Sequence, residues 1–394
     1  MKKKILVFCD FYLPGYKSGG GMWTIVNLVD RFSKDYDFFI VTRNYESKGD
    51  TTPYTSVRSS EWNSVRGAQV YYLSKDDHSP ASFIRIFDYV SPDAVFLNSA
   101  FSMPVVRFLT IRRKRLIPAI PVILAPCGEF SAGALSIKPF KKKLFLAYAK
   151  TFGLYNGITW KASFEQERDE IKLLMGNDVD VMLAPDLAPS SILPDFKVDD
   201  KPFKSEDSVK FVFLSRITRK KNLHYLLETL TKFNFGEIEL DIFGPIEDRA
   251  YWDECLRLIG QCPPNIKINA EADHIPYEKG LKRMLDSHFF VLPTLGENFG
   301  YVFLEAMAAG SPLLVSDRTV WNELEERGAG FEIPLDDSDK WIAVIKRCLA
   351  MCNDEYRESS LCARKYALDW LNNSSVQDAT ARILEQALLK KVLV

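Results

Sequence analysis

Short apolar runs alternate with helical stretches along this chain of 394 residues, and they do so in two series. The first series has strand-like runs at residues 5–9, 38–42, 69–73, 94–97, 122–125, 157–160 and 181–184. The second begins at 210–214 and continues at 239–243, 267–269, 289–292 and 313–316. Runs this short, separated by amphipathic stretches, predict parallel sheets covered by helices. A chain of this length also exceeds what a single core organises. The stretch 186–207 is rich in Pro, Asp and Lys and reads as a linker. The expectation is an α/β protein of two Rossmann-like domains, residues 1–190 and 209–372, with a linker bounded at 191–208 and a terminal helix in 373–394. Ligands in such sheets sit beyond the carboxyl ends of the strands.

Composition narrows the class. Apolar residues make up 47% and charged residues 26%, ordinary for a globular chain. Seven cysteines, at 9, 127, 255, 262, 348, 352 and 362, are odd in number and scattered, so reduced thiols in a cytoplasmic protein are expected. The four histidines lack ligand spacing, and no metal is expected. The apolar stretch after Lys2-Lys-Lys4 is too short for a secretion signal, and no run approaches ~20 apolar residues. Residues 1–190 hold 25 Lys and Arg against 19 Asp and Glu, while the rest holds 26 against 33. The basic first half implies an anionic partner or surface. Two basic clusters stand out, Arg112-Arg-Lys-Arg115 and Lys138-Pro-Phe-Lys-Lys-Lys143. Phe140, Leu144 and Phe145 interleave with the second, which suits peripheral docking on anionic lipid. Nucleic acid is not expected, because no known module surrounds these clusters.

The most informative stretch follows the run 289–292. It reads Leu292-Pro-Thr-Leu-Gly-Glu297-Asn-Phe-Gly-Tyr-Val-Phe-Leu-Glu305-Ala-Met-Ala-Ala-Gly-Ser-Pro312. A buried strand ends at Pro293, a loop runs to Gly300, and a helix from Tyr301 is stopped by Gly310 and Pro312. Glu297 falls in the loop and Glu305 one to two turns into the helix. Backbone N–H groups from about Asn298 to Val302 would face an anion at the helix N-terminus.

A second basic element follows the run 210–214. Phe211-Val-Phe-Leu-Ser-Arg216-Ile-Thr-Arg-Lys-Lys221-Asn places Arg216 and Lys221 just past a strand end. Such groups stabilise a diphosphate, and more so as it departs with added charge. Two further loops follow strand ends in the first half. Phe11-Tyr-Leu-Pro-Gly-Tyr-Lys-Ser-Gly-Gly-Gly21 is not a dinucleotide fingerprint, yet its glycines allow close backbone approach to a charged group. The other is Ala125-Pro-Cys-Gly-Glu129.

At the glutamate stretch the chain resembles the retaining family 4 glycosyltransferases, which have the GT-B fold of two Rossmann-like domains facing a cleft. Their motif, Glu-x-Phe-Gly-x-x-x-x-Glu-Ala-Met-Ala-x-Gly-x-Pro, is matched throughout by residues 297–312. The resemblance is strongest over 210–330 and looser over 5–175. It implies that Glu305 binds the ribose hydroxyls of a nucleotide-sugar donor and that Glu297 contacts the donor sugar. Asn298, Phe299, Gly300 and Tyr301 would line the same donor. The family's Gly-Arg-x-x-x-x-Lys-Gly gives Arg216 and Lys221 the donor diphosphate, with Ser215 and Asn222 replacing its glycines. Tyr12, Pro14, Lys17, Gly19 and Gly20 resemble the first glycine loop, which closes over the donor phosphates. The loop at 125–129 resembles that of bacterial surface-polysaccharide members, capsule and O-antigen types, with Cys127 in place of arginine. Glu129 would face the acceptor and orient or deprotonate its hydroxyl. Trp160-Lys161 stands where relatives often carry a histidine, and Trp321 reads as core.

The resemblance thus implies metal-independent sugar transfer, with retention, to a hydroxyl of a growing surface glycan, free or lipid-linked. A GT-B nucleotide-sugar epimerase and a catalytically silent sugar-nucleotide-binding scaffold are the competing readings.

Overall fold

The computed structural model describes residues 1–16, 19–46, 50, 52–136, 139–189, 197–273 and 275–390. The chain divides into two compact units, Met1–Ser190 with Ser374–Val394, and Ser191–Asn373.

The first unit holds β1 (Lys3–Phe8), β2 (Tyr36–Arg43), β3 (Trp62–Val65), β4 (Ala68–Leu73), β5 (Ala94–Asn98), β6 (Val122–Ala125), β7 (Thr159–Ala162) and β8 (Asp180–Leu183). They form one sheet in the order β3-β4-β2-β1-β5-β6-β7-β8. The pairings are parallel except at the β3–β4 edge. β1 lies inside the sheet because Ile5 to Phe8 are apolar on both faces and fully buried. Phe8 stacks on Phe83 at 5.7 Å and on Phe108 at 4.9 Å, from helices Pro80–Val90 and Met103–Arg113. Helix Gly20–Phe32 turns Met22, Ile25, Val26 and Val29 inward at helical spacing. Helix Ser374–Leu389 belongs to this unit. Lys390, just past it, bonds Asp180 at 2.6 Å and Thr159 at 2.9 Å.

The second unit holds β9 (Ser208–Leu214), β10 (Glu237–Phe243), β11 (Ile266–Glu271), β12 (Phe289–Leu292), β13 (Leu313–Ser316) and β14 (Gly330–Ile333). Its parallel sheet runs β11-β10-β9-β12-β13-β14. In each sheet the order reverses once, between β1 and β5 and between β9 and β12. Loops diverge at such a point and leave a crevice at the carboxyl ends.

Two strands escape the sequence pattern. β3 has a polar middle and stays in the sheet because Trp62 packs edge-on against Phe39 at 5.5 Å and Tyr71 at 5.4 Å. β14 opens on Gly330, where a Cβ would collide with the Leu313 carbonyl at 2.1 Å. The stretch 197–207, taken as linker, is docked on the second unit. Lys201 bonds the Met284 carbonyl at 2.9 Å and Ser311 Oγ at 2.8 Å, and Lys204 bonds the carbonyls of Ser205, Leu349 and Met351 at 2.8–3.0 Å. Buried ammonium groups need such full hydrogen bonding, and here it holds the segment down. Residues 190–196 of the expected linker lie outside the described residues.

Candidate functional site

The crevice between β9 and β12 gathers the charged residues singled out in the second half. After β9 the chain passes Arg216 and makes a short turn at Arg219–Lys221. It enters helix Leu223–Leu230 through Asn222, which is left-handed at φ 61°. Asparagine tolerates that conformation, so the second glycine of the resembling motif is replaced without loss of the turn. The first is replaced by Ser215, and room for it comes from Gly244, whose Cβ would strike the Ser215 carbonyl at 2.0 Å.

The loop after β12 is fastened to that turn. The Leu295 N–H donates to the Lys220 carbonyl at 2.8 Å, and Thr294 Oγ1 to Glu297 Oε1 at 3.0 Å. Lys221 Nζ forms an ion pair with Glu297 Oε1, with side chains only 10% and 12% exposed. Burial pushes the Glu297 carboxyl up, but the cations Lys221 and Lys220 and the two hydrogen bonds outweigh it and hold it below the usual range. Lys221 is pulled down first by burial, then by the nearby cations Arg216 and Lys220, against the pull of Glu297. The low carboxyl favours an ionised pair embedded among further cations.

Helix Tyr301–Ala308 follows, with Gly300 at φ 74° as its N-cap. A Cβ at Gly300 would meet the Phe303 ring at 2.5 Å. Among the described residues no acceptor takes the N–H of Gly300 or Val302. Glu305 is half-buried, and no described side chain donates to it. Burial alone raises its carboxyl to about 7. Tyr277 on the neighbouring helix Tyr277–Leu285 feels that carboxylate: its phenol is raised by burial first and then by Glu305. A carboxylate desolvated without a partner is costly, and it is a strong acceptor for a ligand that brings hydroxyls.

Several expected site residues are placed otherwise. Phe299 and Tyr301, expected to line the donor, are 5% and 7% exposed. The Phe299 ring packs with Tyr301 at 4.9 Å, Trp321 at 5.3 Å and Trp370 at 4.8 Å, and the Trp321 indole N–H donates to the Phe299 carbonyl at 2.7 Å. Aromatic area of this size goes to the core. Arg216 reaches Glu247, in the loop after β10, at 2.8 and 3.0 Å. Glu247 is not singled out by the sequence and Thr294 is given no role by it, although both lie just past a strand end.

In the first unit, Gly19 caps helix Gly20–Phe32 at φ 74°. Lys17 of that loop lies outside the described residues. Asn98, at the end of β5, donates to the Gly21 carbonyl at 2.7 Å and accepts from Cys127 Sγ at 2.9 Å, so one amide joins the glycine loop to the loop after β6. Glu129, expected to face the acceptor, is held by residues of the loop after β5. Its carboxylate accepts from Ser99 Oγ at 2.8 Å and from the N–H groups of Ala100 and Phe101 at 2.6 and 3.3 Å. These donors tie its carboxylate to the segment that leads into helix Met103–Arg113. Glu167, fully buried, holds the same loop from beneath through the N–H groups of Gly128 at 2.6 Å and Ser163 at 2.7 Å. Lys161 is buried in an ion pair with Asp186 at 2.8 Å.

The basic clusters also rearrange. Lys138 lies outside the described residues. On helix Pro139–Thr151, Lys142 turns inward to the Ala134 carbonyl at 2.6 Å, and Phe145 packs on Phe101 at 5.7 Å. The exposed side carries Lys141, Lys143 and Lys150 beside Phe140, Leu144, Tyr148 and Phe152, four apolar positions spaced by one helical turn. Arg113 donates to the Phe152 carbonyl and Arg112 to the Asn156 carbonyl at 2.9 Å, so the first cluster fastens the chain just past the end of this helix. No helix among the described residues is long and apolar enough to cross a membrane.

Residues 195–360 match the family model of Glycosyl transferases group 1. The phosphatidyl-myo-inositol mannosyltransferase of Mycolicibacterium smegmatis is 27% identical over 168 residues, 40% of this chain and 41% of that protein. The alignment thus spans about two fifths of that relative. Over nearly full length the chain is similar to sucrose-phosphate synthase from Thermosynechococcus elongatus, with TM-score 0.70, 14% identity and coverage of 98% and 99%. It is also similar to Anabaena HepE in complex with UDP and glucose, with TM-score 0.66, 12% identity and coverage of 98% and 100%. The chain has the GT-B fold of two Rossmann-like units, and the match to the Glycosyl transferases group 1 model falls on its second unit.

Proposed function

We propose that this protein is a retaining glycosyltransferase that moves a sugar from a nucleoside-diphosphate donor to a hydroxyl of a growing, lipid-linked surface glycan. The observation that carries this reading is the crevice between β9 and β12. There Arg216 and Lys221 stand beside Glu297, and the half-buried Glu305 has no described donor. Glu305 takes the ribose hydroxyls, Arg216 and Lys221 take the diphosphate, and Glu297 meets the donor sugar. The N–H groups of Gly300 and Val302 add to the anion site. The bound UDP of the Anabaena neighbour supports a nucleotide donor. The phosphatidylinositol named for the mycobacterial relative supports an acceptor carried on lipid.

In the reaction the bond from the sugar's anomeric carbon to the diphosphate breaks, and the acceptor oxygen bonds to that carbon on the same face. With Glu129 committed to the Ala100 and Phe101 N–H groups, the acceptor proton passes to an oxygen of the departing diphosphate. Charge grows on that group, and Arg216 and Lys221 stabilise it in place of a metal. The exposed stripe Phe140, Leu144, Tyr148 and Phe152, flanked by lysines, rests on anionic bilayer where the acceptor is anchored.

The test is a thermal-shift panel of nucleotide sugars on the purified protein, followed by transfer and hydrolysis assays with and without EDTA. A donor at ~100 times its Kd should add ~2.7 kcal/mol of stability. Binding without transfer or hydrolysis would favour the silent scaffold, and loss of transfer in EDTA would overturn metal independence.

A further inference from the structure

The two cations assigned to the diphosphate are both paired already, but unequally. Lys221 and Glu297 are 10% and 12% exposed, whereas Arg216 and Glu247 are 42% and 44% exposed. Glu247 meets Arg216 with both carboxylate oxygens, at 2.8 and 3.0 Å. Its reach is set by the backbone. The Ile217 N–H donates to the Pro245 carbonyl at 2.9 Å and the Glu247 N–H to the Ile217 carbonyl at 3.3 Å, so the loops after β9 and β10 are zipped together. Arg216 and Lys220 both act on the Lys221 ammonium, so three cations share one neighbourhood with Glu297. Glu247 supplies a second negative charge at its rim.

We propose that Glu247 is the resident counter-anion of the donor site: it holds Arg216 while the site is empty and yields it when a diphosphate arrives. An exposed ion pair is weak and screened by water, so the exchange is cheap. A diphosphate offers more charge and a bidentate partner for the guanidinium. Glu247 therefore competes with the donor and tunes its affinity. This rests on the donor-site reading above.

The experiment is calorimetric titration of uridine diphosphate and of inorganic pyrophosphate into four proteins: the parent, Glu247→Gln, Arg216→Ala and the double variant. Glu247→Gln should tighten both probes about threefold to fivefold, the scale of an exposed ion pair. Arg216→Ala should weaken both, and the double variant should show no gain over Arg216→Ala. Unchanged or weaker binding by Glu247→Gln, with Arg216→Ala still weakened, overturns the exchange and leaves the donor-site reading standing. A gain that survives in the double variant also overturns it, because Glu247 would then act without Arg216. Normal binding of both probes by Arg216→Ala removes the arginine from the diphosphate and takes the exchange with it.

Discussion

Lys221 and Glu297, 76 residues apart in sequence, form an ion pair across the crevice between β9 and β12. Breaking a largely buried pair strands the remaining charge, at about 3 kcal/mol. Lys221→Ala should therefore lower unfolding stability by about that amount in a denaturant titration. Adding Glu297→Ala should restore most of the stability, but not turnover. Turnover in the single variant should fall ~10²–10³-fold. Recovery of turnover in the double variant would show that Lys221 serves the fold alone.

Arg216→Ala offers the contrast. Its pair with Glu247 is exposed, so stability should change by less than about 1 kcal/mol. Turnover should still drop ~10²–10³-fold, with a smaller change in donor affinity. Near-normal turnover in both Arg216→Ala and Lys221→Ala would put the diphosphate elsewhere.

Glu305 makes nucleotide affinity depend on pH. Its carboxyl is raised to about 7 by burial, and the ionised form is the better acceptor for ribose hydroxyls. Affinity should rise from pH 6 to pH 8 and weaken roughly tenfold per unit well below 7. For the empty protein the sign is opposite. A raised carboxyl contributes stability below its ordinary value of 4.5 that is lost as pH rises through about 7. Glu305→Gln should thus stabilise the empty protein at pH 8, not at pH 4, while flattening the affinity profile. A profile unchanged by Glu305→Gln would clear this residue of the ribose role.

His288 predicts acid sensitivity in the second unit. Burial lowers its imidazole from 6.5 to about 4, and its Nδ1 accepts from the Lys210 N–H at 2.9 Å. A depressed value gives stability that is present above 6.5 and lost as pH falls through 4. The slope approaches 1.4 kcal/mol per unit in that window, about 3 kcal/mol in all. Urea titrations at pH 7, 5.5 and 4 should show it in the parent and not in His288→Gln.

Membrane contact is tested on vesicles containing anionic lipid. Lys141 and Lys143 changed together to Ser should reduce sedimentation at low salt, since each surface lysine contributes about 1 kcal/mol. Phe140, Leu144 and Phe152 changed to Ser should abolish the part that survives high salt. Donor binding should persist in both variants. Absence of vesicle binding by the parent would make this helix face an ordinary solvated one.

The sheets were legible because buried parallel strands leave short apolar runs: β6, β12 and β13 fall where the pattern puts them. β3 was not, because Trp62-Asn-Ser-Val65 owes its place to aromatic contacts across the sheet, which periodicity does not carry. Glu297 and Glu305 were legible by local spacing around a helix start. The burial of Phe299 was not, since its partners Trp321 and Trp370 lie 22 and 71 positions later. Glu129 read as a free loop acid, because nothing local shows that Ser99, Ala100 and Phe101 come to meet it. Glu247 could have been noticed by the rule that flagged Arg216, since both lie just past the carboxyl end of a strand, on the neighbours β10 and β9.

Trp370 gives the glutamate loop a remote handle. Its ring lies 4.8 Å from Phe299, yet it belongs to helix Asn353–Leu371, which carries none of the charged groups of the crevice. The indole of Trp321, 5.8 Å from Trp370, donates to the Phe299 carbonyl. The set of the loop therefore depends on the packing of a helix distant in sequence. Local unfolding there would silence the loop while both sheets stayed intact.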